Sequence, residues 1–191
     1  MEAPADGDLA VEQTKALVFT ILRHAEDLPW RLQDIGLMSL RLDDRRQHRL
    51  HLWCADAHAE DPPVHDHPYD FTSRIVVGQL TNTRYAEDAA GTEYVRFRYS
   101  PPDEERRRSD AVRLSAAATT FTEGAQYGQL AHELHSSQQR PGTVTVIRCS
   151  WVDVEELTVC LRDAASWRSG FGRQATRAEI KAAAAAALAW F

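Results

Sequence analysis

The sequence predicts a mainly β protein, either a sandwich or a small barrel, with a helix at each end. About eight to ten short segments that alternate apolar and polar residues follow one another between residues 36 and 161, separated by turn-forming residues. The segments before and after this region have helical periodicity instead. A β domain flanked by two helices fits both patterns.

The first and last segments are expected to be helices. Apolar residues recur at helical spacing from Leu9 to Leu28, and Pro29 is expected to end this helix. Thr176 and Glu179 have the spacing of a capping box, and an alanine-rich segment follows them. The predicted segments are an N-terminal helical extension at 1–34, a β domain at 35–162 and a C-terminal helix at 163–191 that packs on it.

The first half of the β region is predicted to contain a hairpin and a long strand. Residues 36–42 and 48–54 alternate around a polar turn, which indicates a hairpin. A polar loop is expected at 55–63. The segment Phe71–Tyr85 is predicted to be a strand, with a bulge or bend at Gly78.

The second half is predicted to contain shorter strands. Residues 94–99 alternate cleanly, whereas residues 101–110 are expected to form a charged loop. The remaining predicted strands are 111–114, 119–122, 132–135, 143–151 and 157–161.

Composition argues against several classes of protein. The chain has 191 residues, with 22 Lys and Arg against 28 Asp and Glu and a net charge of −6, which argues against general nucleic-acid binding. No apolar run approaches the roughly 20 residues that span a bilayer, and the acidic start does not resemble a signal peptide. The 3 cysteines are too widely spaced for a disulfide framework or a zinc ribbon. We therefore expect a cytoplasmic protein that binds neither nucleic acid nor a membrane.

Two of the 8 histidines occur in the segment His65-Asp66-His67. In a strand, residues i and i+2 point to the same face, so both imidazoles can reach one metal ion. Such a pair also occurs as an ordinary surface or core pair. The spacing alone leaves both interpretations open.

The segment around these histidines resembles the first sequence motif of the cupin family, in which two histidines, a glutamate and a glycine have fixed spacing. His65, His67 and Gly78 stand at matching positions. The leading glycine of the motif is replaced, and the glutamate position falls on Phe71 or Thr72.

A second partial motif supports the resemblance. Gly124 and His135 match the second cupin motif at the right spacing, although its proline, glycine and asparagine positions hold other residues. The resemblance covers residues 36–161. It implies a cupin double-stranded β-helix, or jelly-roll, barrel with a metal ion in its mouth, held by His65, His67 and His135.

A cupin ligand set without the glutamate is similar to that of the three-histidine cupins, of which cysteine dioxygenase is the best-known example. This resemblance implies Fe(II) as the metal and dioxygen as a co-substrate, without 2-oxoglutarate, while Zn, Mn or Ni stay open as alternatives. Asp70 or Glu133 could add an oxygen ligand, and His132 could replace His135. The serine, histidine and tyrosine relay of thiol dioxygenases is absent after His135, so cysteine itself is not the expected substrate.

Further residues are candidates for a substrate pocket. Arg49 and His51 share a strand face just before the metal segment, where thiol dioxygenases place a carboxylate-binding arginine, and a guanidinium inside a barrel suits a bidentate carboxylate. Tyr85 and Tyr127 are additional candidates. The predicted pocket walls are Trp53, Phe71, Ile75 and Val77.

The histidine set without a carboxylate leads to the hypothesis of a non-haem iron oxygenase for a small carboxylate- or amine-bearing metabolite. A role in specialised metabolism is expected, because small stand-alone cupins often have one. One alternative is a non-oxidative isomerase, lyase or decarboxylase in which Glu133 or His132 carries a proton. Others are a ligand-binding cupin without catalysis, and a 2-oxoglutarate oxygenase built on His58 and Glu60. A homodimer is compatible with all of them.

Overall fold

The computed structural model describes residues 6–33, 35–54, 62–100, 103–166 and 172–191. The predicted polar loop at 55–63, including His58 and Glu60, lies almost entirely outside these residues. Two α-helices flank the β region, α1 at Asp6–Arg23 and α2 at Arg177–Leu188. Short 3-10 turns lie at Ala25–Asp27 and Ala164–Ser166.

Helix α2 begins with the predicted capping box. The Thr176 hydroxyl accepts from the backbone N–H of Glu179, and the Glu179 carboxylate accepts from the backbone N–H of Thr176. Because two of the four unpaired N–H groups at the helix start are bonded in this way, the helix has a fixed beginning.

Twelve strands lie in the described residues. They are β1 (Arg31–Gln33), β2 (Leu37–Arg41), β3 (His48–Trp53), β4 (Val64–His65), β5 (Tyr69–Val77), β6 (Gln79–Ser100), β7 (Asp103–Thr122), β8 (Gln126–Gln129), β9 (His135–Gln139), β10 (Val144–Trp151), β11 (Leu157–Leu161) and β12 (Arg173–Gln174).

The strands form two antiparallel sheets. Sheet A has the order β12-β1-β2-β3-β10-β5-β8, and sheet B has the order β11-β4-β9-β6-β7, with an additional pairing between β11 and β6. Strand β6 pairs with β9 near its start and with β11 near its end. The molecule is therefore mainly β with two helices, as the sequence predicts.

The antiparallel pairs are nested along the chain. The innermost pair is the long hairpin β6–β7, and the pairs β5–β8, β4–β9 and β3–β10 enclose it in turn. Successive pairs alternate between the two sheets: β6–β7 and β4–β9 belong to sheet B, and β5–β8 and β3–β10 to sheet A. This winding brings β4 and β9, which are far apart in sequence, side by side.

Sheet A has an apolar residue set on each face. Leu50 and Leu52 on β3 pack with Val18 of α1 and Ile180 of α2 in one buried cluster. The alternate residue Trp53 belongs to a second cluster, which contains residues of both sheets. Since side chains alternate along a strand, β3 presents one face to the helices and the other to the space between the sheets.

Several predicted elements differ from the structure. The first helix ends at Arg23 instead of Leu28, and the strands predicted at 111–114 and 119–122 are both parts of β7. Residues 103–110 belong to β7 instead of a charged loop, because they pair with β6. The segment Phe71–Tyr85 is divided between β5 and β6 at Gly78, whose φ is +86°. The strand predicted at 132–135 begins only at His135, because His132 lies in a turn with φ +65°.

The two terminal segments contribute more than helices to the fold. Strands β1 and β12 pair with each other, although they belong to the predicted N-terminal extension and C-terminal segment. Both terminal segments thus add a strand to sheet A besides packing a helix on it. None of the described helices is long and apolar enough to cross a membrane.

Candidate metal centre

Three histidines converge where β4 meets β9. His65 on β4 lies directly opposite His135, the first residue of β9. His67 follows β4 in the connection to β5, where Asp66 fixes the backbone by accepting from the N–H of Thr158 at 2.8 Å. The nested strand pairing thus brings residues 65 and 135 together across 70 positions of sequence.

The nitrogen atoms of the three side chains are close enough to share one ion. One ligand atom from each of His65, His67 and His135 lies within 4.8 Å of the others. The Nε2 atoms of His67 and His135 are 2.9 Å apart. Two nitrogen ligands at right angles, each 2.0–2.1 Å from a common ion, would be about 2.8–3.0 Å apart. The group could therefore hold a metal ion.

The second ring nitrogen of two of the histidines is already occupied. Nδ1 of His65 lies 3.0 Å from the carbonyl oxygen of Pro63, and Nδ1 of His135 lies 2.8 Å from Oδ1 of Asn82. Both partners are acceptors, so each Nδ1 carries the proton and donates it. In neutral imidazole this leaves Nε2 with a free lone pair, which is the arrangement found in metal-binding histidines.

Burial keeps the three imidazoles neutral. Desolvation lowers the pKa of His65, and it lowers the pKa of His67 and His135 well below the usual value. The positive charge that neighbouring histidines would carry, and that Arg49 and Arg84 do carry, acts in the same direction for these two. A neutral imidazole is the form that binds a metal, so the site needs no deprotonation at pH 7.

Aromatic rings surround His67. The Tyr69 ring stacks on it with centroids 4.9 Å apart, and the Phe71 ring meets it edge-on at 5.4 Å. Phe71 also packs against His135 at 5.7 Å. Phe71, one of the two residues that could stand at the glutamate position of the cupin motif, is therefore an apolar wall of the site.

The histidines line a cavity between the sheets. Its floor is mostly apolar, and none of its described lining residues is acidic. The lining residues are Gln33, Ile35, Leu37, Arg49, His51, Trp53, Pro62, Pro63, His65, His67, Tyr69, Phe71, Ser73, Tyr127, His135, Ser137, Thr145 and Ile147. Five predicted pocket residues, Arg49, His51, Trp53, Phe71 and Tyr127, are among them.

Arg49 lies at the edge of this cavity without a carboxylate partner among the described residues. Its guanidinium lies 5.1 Å from the Tyr69 ring centroid and 5.5 Å from that of Trp151. One Nη1 hydrogen points to the Tyr69 hydroxyl at 3.4 Å. Two aromatic faces therefore hold a positive charge beside the histidines.

Three other predicted site residues lie outside the cavity. His132 is exposed in its turn. Glu133 accepts from the backbone N–H of Leu130 at 2.9 Å, and Asp70 accepts from the N–H of Ala131 at 2.8 Å. The two carboxylates stabilise the turn before β9, so neither they nor His132 face the three-histidine group.

The remaining predicted residues are distributed over other parts of the fold. Tyr85 bonds Ser136 and packs on Tyr94, away from the cavity. Ile75 lies beneath the cavity lining in the same buried cluster as Phe71. Val77 faces the helices instead, because a β-bulge intervenes: Ile75 lies opposite Thr145, whereas Val77 lies opposite Val144.

Sequence reasoning missed Asn82 and Tyr69 as parts of the site. Asn82 lies between Thr81 and Thr83 in β6, and no motif distinguishes it from these polar neighbours. Tyr69 follows His67 at the same i, i+2 spacing that links the two histidines of the pair, and this periodicity could have identified it.

No protein-family model matches the chain, and no curated protein matches it either. The cupin resemblance therefore rests on the residues of this chain.

Proposed function

We propose that this protein is a mononuclear, Fe(II)-dependent oxygenase of the cupin type that acts on a small carboxylate- or amine-bearing metabolite. The observation that carries the proposal is the three-histidine group at the cavity. Its members offer one nitrogen each within 4.8 Å, and the Nδ1 atoms of His65 and His135 are held by acceptors of the chain.

The strand pairing supports the cupin assignment. A jelly roll is two antiparallel sheets made by winding a long hairpin, so that nested strand pairs fall alternately in one sheet and the other. The pairs β3–β10, β4–β9, β5–β8 and β6–β7 have this arrangement. The histidines lie on the pair β4–β9 and directly after β4, in agreement with the positions of the two partial sequence motifs.

The donor set favours a catalytic site over a closed structural one. Three neutral imidazoles leave coordination positions free, and the carboxylate of the first cupin motif is absent, since its position falls on Phe71 or Thr72. Bound Fe(II) would supply the positions at which dioxygen and the substrate react. The apolar cavity walls would exclude bulk water from these positions.

The chain itself would bind and orient the substrate. Arg49 presents a permanent positive charge, and the rings of Tyr69 and Trp151 hold it next to His67. A guanidinium in this position suits a carboxylate, which it can bind through two parallel hydrogen bonds. The arginine would thereby fix one end of the substrate relative to the histidines.

The non-oxidative alternative has less support. An isomerase, lyase or decarboxylase needs a proton carrier in the site, and the predicted carriers were Glu133 and His132. Neither lines the cavity, and Glu133 is bonded to the turn before β9. We therefore favour the oxygenase over an isomerase, lyase or decarboxylase.

Metal content tests the proposal. The full chain is loaded anaerobically with Fe(II), desalted and measured by plasma mass spectrometry, alongside His67→Ala and His135→Ala. We expect about one iron per chain in the wild type and loss of iron in both variants, followed by dioxygen consumption with a member of a broad panel of amino acids and organic acids.

The matched control is His132→Ala, which removes an exposed histidine three residues from His135. It should retain the iron. Failure of the wild type to retain iron would contradict the metal site, and iron retention without dioxygen consumption on any panel member would contradict the oxygenase.

A further inference from the structure

Three polar groups on one face of β3 are buried and have no hydrogen-bond partner among the residues that the structure describes. They are Nε of Arg49, Nε2 of His51 and Nε1 of Trp53. All three residues line the cavity. A buried polar group without a partner destabilises the folded chain, so three such groups in one row are a feature that a ligand would explain.

The groups differ in what they can bind. The indole N–H of Trp53 and the Nε–H of Arg49 are donors only, so each needs an acceptor. His51 is 9% exposed, and its ring meets the Trp53 ring edge-on at 6.4 Å. Trp53 is 5% exposed, which removes bulk water as an easy partner for its N–H.

The positions of these groups define the shape of a ligand. Every second residue of a strand points to the same face, so residues 49, 51 and 53 lie on one face of β3. Their Cα atoms span about 13 Å at 3.3 Å per residue. Arg49 lies beside the exposed Trp151 at one end of this row, whereas Trp53 lies at the other end, in the same buried cluster as Leu37. The intervening cavity wall is mostly apolar.

We propose that the substrate is an elongated organic acid with two acceptor groups: a carboxylate at Arg49 and a neutral acceptor oxygen, such as a carbonyl, at the indole N–H of Trp53. Trp53 is then a specificity-determining residue at the end of the cavity remote from Arg49. His51 contributes a further polar contact between them. The inference rests on the proposed use of the cavity as a substrate site, but it does not require the metal.

Paired ligands test this inference. The probes are straight-chain keto acids of about six to ten carbons, a length range chosen to span this wall, with the carbonyl next to the terminal methyl. Each is compared with the alkanoic acid of equal length. Binding is measured by calorimetry on the full chain after chelator treatment.

In the wild type, at least one keto acid should bind about tenfold more tightly than its alkanoic partner. Trp53→Phe keeps an aromatic side chain and removes the N–H, so it should abolish this preference, and the two members of each pair should then bind with equal affinity. Trp190→Phe, at an exposed indole remote from the cavity, should retain the preference. Arg49→Gln should weaken both members of each pair equally, which gives a second test if Trp53→Phe does not fold.

Absence of the preference in the wild type, its survival in Trp53→Phe, or failure of all probes to bind would overturn the inference. Iron retention is measured on portions of the same preparations that are loaded with Fe(II) instead of being treated with the chelator. Retained iron without a keto-acid preference means that the inference fails and the metal site stands. A keto-acid preference without retained iron means that the inference stands and the metal site fails.

Discussion

The side-chain oxygen Oδ1 of Asn82 accepts a hydrogen bond from Nδ1 of His135 at 2.8 Å, and both side chains are buried. The amide nitrogen of Asn82 in turn donates to Oε1 of Gln129 at 3.3 Å, which fixes the orientation of the amide. Asn82 lies on β6 and His135 on β9, so the bond crosses between neighbouring strands of sheet B. It holds the imidazole with Nε2 directed toward His67.

Substitution of Asn82 by alanine should therefore weaken metal binding. Loss of a partner that orients a metal-binding histidine typically costs 10–100-fold in affinity, so we expect a decrease of about 10-fold or more for Asn82→Ala. The measurement is competition for Fe(II) or Zn(II) with a chelator of known affinity. Asn82→Asp keeps an acceptor at this position and should retain more of the affinity than Asn82→Ala. An unchanged affinity in a folded Asn82→Ala protein would show that His135 needs no such support.

The stacking of Trp151 on Arg49 leads to a second prediction. A cation–π contact at a partly exposed site contributes about 0.5–1 kcal/mol, so Trp151→Leu should reduce the affinity for octanoate by about two- to fivefold. Calorimetry on the full chain measures this change. The control is Trp190→Leu, because Trp190 has a similar exposure and does not contact Arg49. Equal affinities in the two variants would rule out a role of Trp151 in placing the guanidinium.

The burial of His51 makes stability depend on pH. Desolvation, assisted by the charge of Arg49, lowers the pKa of His51 to about 3, compared with 6.5 for the free side chain. Below pH 6.5 His51 is therefore protonated in the unfolded chain, whereas in the folded chain it stays neutral until the pH falls to about 3. The contribution of neutral His51 to the free energy of unfolding is complete above pH 6.5 and decreases as the pH falls toward 3.

We expect His51 alone to cost up to about 2 kcal/mol of unfolding free energy between pH 7 and pH 5 in the metal-free protein. His51→Gln should reduce this pH dependence by a corresponding amount, as measured by urea unfolding at each pH. His24→Gln, at an exposed histidine on the opposite side of sheet A, is the control and should leave the dependence as it is. A pH dependence that is identical in all three proteins would show that His51 takes up its proton in the folded state.

The parts of the site that follow local rules could be predicted from the sequence, and those set by long-range pairing could not. The i, i+2 spacing placed His65 and His67 together, and the alternation of β3 placed Arg49, His51 and Trp53 on one face. The bulge before Val77 could not be predicted, because it depends on the register between β5 and β10. The partner of His135 could not be predicted either, since Asn82 is a neighbour only once β6 and β9 pair.

Gly78 and Gly124 allow the destabilisation by backbone strain to be distinguished from the destabilisation by steric crowding. Gly78 and Gly124 both have positive φ, +86° and +81°. A Cβ atom on Gly78 would lie 2.5 Å from Oγ1 of Thr143, whereas a Cβ atom on Gly124 would meet nothing within 4 Å. The Thr143 hydroxyl is not free to move, because it donates to the carbonyl of Gln79 and accepts from its N–H.

Gly124→Ala should therefore cost only the strain of a left-handed residue, about 1–2 kcal/mol of unfolding free energy. Gly78→Ala should cost about 3 kcal/mol or more, since the same strain is joined by the loss of the Thr143 hydrogen bonds at the junction of β5 and β6. Urea unfolding of the metal-free protein measures both. A Gly78→Ala, Thr143→Ala double variant removes the hydroxyl that the new methyl group meets, so the two substitutions should cost less together than the sum of their separate costs. Equal costs for Gly78→Ala and Gly124→Ala would show that the junction adjusts around the added methyl group.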